Sequence, residues 1–188
     1  MMKSLVAFGL AAVMVTGLYA FEEKKAPLKS GPQVSEELAG PFHPLNVNGA
    51  SAGKKNCLYC ANGSNPVAMI FAREATPEVA KLIKKIDEAT AKNSDAKMGS
   101  FVVFCSDDDT LEKKLETMAK DSGISKCILS IDNPAGPKGY NVSKDADVTV
   151  VLYVSHTVKA NFAFKKGELK DGDIEKIVSA LPTILTKK

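Results

Sequence analysis

Apolar positions along this chain follow two rhythms that alternate after about residue 66. "VAMIFA" (67–72), "SFVVFC" (100–105) and "KCILSI" (126–131) are short continuous apolar runs. Such runs suit strands covered on both faces. Between them the period lengthens. In "TPEVAKLIKKIDEAT", Val79, Leu82, Ile83 and Ile86 recur at helical spacing, with Thr76 as N-cap, Pro77 in the first turn and Glu78 beside it. In "DTLEKKLETMAKDSG", Leu111, Leu115, Met118 and Ala119 form one face; Asp109 with Glu112 reads as a capping box, and Gly123 ends the helix. "VTVVLYV" (148–154) and "VKANFAF" (158–164) flank "SHT" and predict a hairpin. "DIEKIVSALPTIL" predicts a last helix, with Asp173 as N-cap.

The predicted order is β-α-β-α-β-β-β-α. Alternating βα units give parallel strands, and the hairpin adds antiparallel ones. Ahead of this core, "PFHPLNV" predicts a short edge strand closed by an Asn48–Gly49 turn. Residues 21–40 are charged and small, with Pro and Gly, and read as a disordered linker. Residues 1–20 combine an early Lys3, an uncharged run from Leu5 to Leu18, and small residues ending at Ala20. That pattern predicts a secretory signal peptide cleaved after Ala20, hence an exported, periplasmic or secreted protein with no membrane attachment after cleavage. The expected domain is 41–188.

Composition excludes some functions. The net charge is +3 and there is no Trp. No basic stripe with interleaved aromatics marks a nucleic-acid surface. No Gly-rich phosphate loop, internal repeat or nucleophile–base–acid triad is present, and nothing calls for a cofactor.

The four cysteines carry the candidate chemistry. Cys57 and Cys60 form a Cys-x-x-Cys in an expected loop, just before the first core strand. Thiol–disulfide exchange is one reading, with Lys54 and Lys55 favouring a thiolate and Cys57 as the attacking thiol. A structural disulfide is another. A metal clip would need further ligands from Cys105, Cys127, His43 or His156. Haem attachment is excluded, since Ala61 stands where histidine is required. Cys105 ends one parallel strand and Cys127 begins the next, so they should lie about 17 Å apart and not pair. Cys127 could instead approach the Cys57–Cys60 loop as a third thiol. The aspartates of "SDDDT" read as helix capping rather than a cation site. His156 is expected to be exposed in its turn, and His43 packed at an edge. Arg73, the only arginine, is expected to form an ion pair with Glu74 or an aspartate.

The element order, with "GPFHPLNVNG" in front and "ILSIDN…GYNV…DVTVVLYVSHTVKANFAF" behind, resembles the thioredoxin-like superfamily, and within it the peroxiredoxin arrangement. The resemblance covers about residues 41–187. It implies an α/β fold: a thioredoxin-like three-layer α/β/α sandwich, with a mixed sheet of central parallel strands and a C-terminal antiparallel hairpin. Its motifs depart from the family's. The stretch that should carry catalytic cysteines, "AREATPEV", has none; Val79 stands at the peroxidatic position, and Val148 replaces the usual proline. Two functional readings therefore stand: an exported redox protein acting on a protein thiol or disulfide through an atypically placed Cys57–Cys60, or a non-catalytic binding or envelope-structural domain.

Overall fold

The computed structural model describes residues 28–185; the predicted signal peptide lies outside them. Seven strands form one mixed sheet in the order β2-β1-β5-β4-β3-β6-β7. They are β1 (Leu45–Asn46), β2 (Lys54–Lys55), β3 (Val67–Ala72), β4 (Gly99–Cys105), β5 (Cys127–Asp132), β6 (Val148–Val154) and β7 (Thr157–Phe164). Helix α1 spans Leu58–Asn62, α2 Pro77–Lys92, α3 Leu111–Asp121 and α4 Asp171–Ala180. Strands β3, β4 and β5 are parallel, whereas β6 runs antiparallel to β3 and β7 to β6.

The topology distributes the core. From β3 to β4 to β5 the chain steps in one direction across the sheet, so right-handed crossovers put α2 and α3 on one face. There Leu82, Ile83 and Ile86 of α2, Leu115 of α3 and Ile177 of α4 meet Ala68, Ile70 and Ala72 of β3. The alternate residues Val67, Met69 and Phe71 turn to the other face, as the period of two requires. Among the described residues, that face carries no long helix. The return from β5 to β6 crosses it through residues 133–147, which lay Tyr140 against Phe71 and Phe42. The Tyr140 hydroxyl donates to the Gly40 carbonyl (2.7 Å), and burial pushes its pKa up.

Residues 28–40 complete this layer, a correction to the disordered linker expected for 21–40. Ser30 is buried and its hydroxyl lies 2.6 Å from that of Thr149. Asn161 donates to the Ser30 and Pro32 carbonyls, both at 2.9 Å. Ser35 N–H donates to the Val158 carbonyl and Val158 N–H to that of Glu36. Composition misleads because this strap is held by hydrogen bonds rather than by an apolar stripe.

Local chemistry corrects three further expectations. Thr110, not Asp109, precedes α3, and Asp108 accepts from its N–H and hydroxyl. The Thr110 hydroxyl, the Lys114 ammonium and the Thr110 N–H hold the Asp108 carboxyl at about 2. Lys170 is the N-cap of α4; Asp173 sits three residues in and accepts from the Lys170 N–H. Strand β1 is not an edge, because β2 pairs outside it. The Thr76 cap is as expected, its hydroxyl accepting from Val79 N–H at 3.3 Å.

Candidate redox site

The Cys-x-x-Cys does not lie in a loop. Cys57 is the N-cap of α1, and its sulfur accepts a hydrogen bond from the Cys60 N–H (3.0 Å). The two cysteines are joined by a disulfide with their Cα atoms 5.3 Å apart. A five-residue helix cannot sustain itself by backbone hydrogen bonds alone, so its neighbours must hold it. Leu58 is 4% exposed and sits in the core under the strap; burying a leucine contributes about 1.5–3 kcal/mol. The Asn62 carboxamide donates to the Leu58 carbonyl (2.8 Å). Asn62 also lies over Gly99, where any side chain would overlap it. Tyr59 stacks on His156, with ring centroids 4.5 Å apart and an interplanar angle of 21°.

The two sulfurs differ. Cys57 is 7% exposed and belongs to the core, whereas Cys60 is exposed. Sequence alone points to Cys57 as the attacking thiol; of the pair, Cys60 is the residue that reaches solvent. Lys54 and Lys55 precede the pair and are exposed on the edge strand β2.

The other candidates separate from this pair. Cys105 and Cys127 are free and buried at opposite ends of the β4–β5 pair, Cys127 opposite Ser100 and Cys105 opposite Asp132. Burial raises the Cys105 thiol to about 11, against a partly offsetting Arg73, and the Cys127 thiol to about 12. Cys127 faces the α2 side, whereas Leu58 next to Cys57 packs on the opposite face. Cys127 is therefore not a third thiol for the pair. His156 is half-buried under Tyr59, not exposed, and His43 is exposed, not packed. Among the described residues no group of three or more His, Cys, Asp or Glu side chains is placed to hold a metal ion. No helix among them is long and apolar enough to cross a membrane.

No protein family and no curated protein sequence matches the chain. Solved structures do. A candidate protein disulfide isomerase from Bacteroides thetaiotaomicron superposes with a TM-score of 0.63 over 85% of this chain and 96% of its own, at 16% identity. Peroxidoxin BcpB from Mycobacterium tuberculosis gives 0.57 over 85% and 99%, at 13% identity. A candidate thiol:disulfide interchange protein DsbE from Chlorobium tepidum gives 0.54 over 82% and 99%, at 15% identity.

The fold is thioredoxin-like. In this thioredoxin-like chain the disulfide precedes β3, at the amino ends of the parallel strands. Ligand sites of open α/β sheets ordinarily lie at the carboxyl ends, and here a side-chain clamp occupies part of that edge. Arg73, just beyond β3, donates to the carbonyls of Ala146 (2.9 Å), Pro134 (2.9 Å) and Ser143 (3.0 Å). It ties the 133–147 crossing to the sheet instead of pairing with a carboxylate; Glu74 pairs with Lys166. Val79 is buried in α2. Val148 is paired with Ala72 inside the sheet.

The roles of two polar residues escaped the sequence reading. Asp87 of α2 is 4% exposed, and one of its carboxylate oxygens accepts the N–H groups of Ser125 (2.9 Å), Lys126 (2.6 Å) and Cys127 (2.8 Å). It anchors the start of β5. The other is the Arg73 clamp. Neither has a sequence signal beyond an acid within an otherwise apolar helix face and a lone arginine at a strand end.

Proposed function

We propose that the chain exchanges disulfides with a protein thiol or disulfide partner outside the cytoplasm, with Cys60 meeting the partner and Cys57 as the resolving sulfur. The observation that carries this reading is the asymmetry of the disulfide: Cys60 is exposed, whereas Cys57 is buried with its sulfur hydrogen-bonded. A partner thiolate attacks Cys60 Sγ and the Cys57–Cys60 bond breaks. Cys57 leaves as a thiolate, and the Cys60 N–H that already bonds its sulfur stabilises that charge. A second partner thiolate then attacks the partner sulfur of the mixed disulfide. Cys60 leaves, the partner becomes a disulfide, and this chain keeps two electrons as two thiols. Run backwards, the same steps reduce a partner disulfide.

Glutathione disulfide is the reagent for the two single-cysteine variants: the protein thiolate attacks one of its sulfurs, the mixed disulfide forms, and one reduced glutathione leaves. In Cys57→Ser, which cannot resolve, a glutathione adduct on Cys60 should accumulate and be seen by mass spectrometry. In Cys60→Ser, Cys57 should react far more slowly. Equal adduct formation in both variants, or none in either, overturns the assignment. The second reading, a structural disulfide, rests on the shortness of α1 and the burial of Cys57 beside Leu58. It predicts that reduced glutathione leaves the Cys57–Cys60 bond of the wild-type chain intact, whereas the exchange reading predicts that the pair opens.

A further inference from the structure

The hairpin that carries His156 does not require a histidine there. Ser155 and His156 form the β6–β7 turn with φ of 50° and 62°. Asn, Asp and Gly serve such a turn at least as well. The backbone around His156 is tied on both sides. Ser155 N–H donates to the Ser64 carbonyl, just beyond α1 (3.1 Å), and the His156 carbonyl accepts from the strap at Leu38 N–H (2.9 Å). The imidazole, by contrast, has no hydrogen bond to fix it among the described residues, where its Nε2 is buried without a partner. What the ring does touch is Tyr59, the residue immediately before Cys60.

We infer that His156 is a positioning residue for the Cys57–Cys60 couple, holding α1 through the Tyr59 stack and so biasing the couple toward its oxidised form. The inference deepens the exchange reading and rests on it for its biological meaning, though the coupling itself can be measured independently. The disulfide closes the first turn of α1 and fixes the direction in which Tyr59 leaves the helix. Once the ring opens, a five-residue helix has too few backbone bonds to keep that direction. The stack is therefore stronger in the oxidised form, and its removal favours reduction.

An aromatic stack of this kind is worth about a fivefold change in an equilibrium constant, or roughly 20 mV for a two-electron couple. The measurement is equilibrium with dithiothreitol. The reductant closes to its ring disulfide, and Cys57 and Cys60 each gain one electron and one proton. His156→Asn keeps the turn preference and removes the ring; it should be reduced about fivefold more readily, with its thermal midpoint recorded to confirm folding. Tyr59→Leu should shift the equilibrium equally. The double variant should add nothing, because both changes delete the same contact. Tyr59→Phe, which keeps a ring, should match wild type. An unchanged equilibrium in His156→Asn, or additive shifts in the double variant, overturns the inference. Failure of wild type to react with glutathione would instead count against the exchange reading and leave the dithiothreitol comparison valid.

Discussion

Replacing Arg73 with leucine tests whether the carboxyl-end edge is a structural clamp rather than a vacated site. The guanidinium makes three hydrogen bonds to carbonyls spread from Pro134 to Ser143 and Ala146. A hydrogen bond to a charged group contributes about 1.5–3 kcal/mol. The bond to Pro134 is exposed, and all three carbonyls can be rehydrated once the side chain is gone. The expected loss is therefore about 2–4 kcal/mol, below the simple sum. Lysine supplies charge but only a compact donor head, so Arg73→Lys should recover less than half of it. Urea unfolding followed by far-UV circular dichroism reads the loss as a lower midpoint at constant slope. The redox equilibrium of Cys57–Cys60 should not move, because β3, about 20 Å long, separates the two ends. A loss under 1 kcal/mol, or a shifted redox equilibrium, would refute the reasoning.

Other residues give independent expectations. Asp87→Ala strands three N–H groups at the start of β5 and should cost about 3 kcal/mol, whereas Asp87→Asn, still an acceptor, should cost about 1 kcal/mol less than that; equal unfolding midpoints for the two would argue against the anchor. The buried thiols make stability depend on pH. Unfolded, they ionise near 9.0; folded, they hold their protons to about 11 at Cys105 and about 12 at Cys127. Between these values the folded chain binds more protons, so stability falls as pH rises through 9 to 11, by about 1.4 kcal/mol per unit for each thiol. Below pH 9 these groups contribute no slope. Cys105→Ala with Cys127→Ala should abolish the slope between pH 9 and 10 in urea titrations, below the range where the buried Tyr140 and Tyr153 hydroxyls add a slope of the same sign; a slope that persists there would assign it elsewhere.

The sequence was most informative where burial was two-sided. The runs 67–72 and 148–154 match β3 and β6 residue for residue, because a strand covered on both faces stays almost wholly apolar out to its ends. Helix α2 was equally clear, with Thr76 and Pro77 marking its start. Legibility failed where structure depends on few residues. Helix α1 is too short for a helical period, and β2 is two exposed lysines. Missing α1 hid which residue of the pair is exposed, since only the helix turns Cys57 inward and Cys60 outward. The strap at 28–40 and the roles of Arg73 and Asp87 rest on hydrogen bonds between residues far apart in sequence. Such pairs leave no periodic trace.

The most direct test of the account is the redox state of Cys57 and Cys60 across glutathione buffers, with each thiol assigned by alkylation and mass spectrometry. The exchange reading predicts that the pair interconverts at a potential above about −300 mV, within the range of exchange catalysts, while Cys105 and Cys127 stay reduced and unmodified. A pair that remains oxidised below about −300 mV would contradict it and make the disulfide a structural closure of α1.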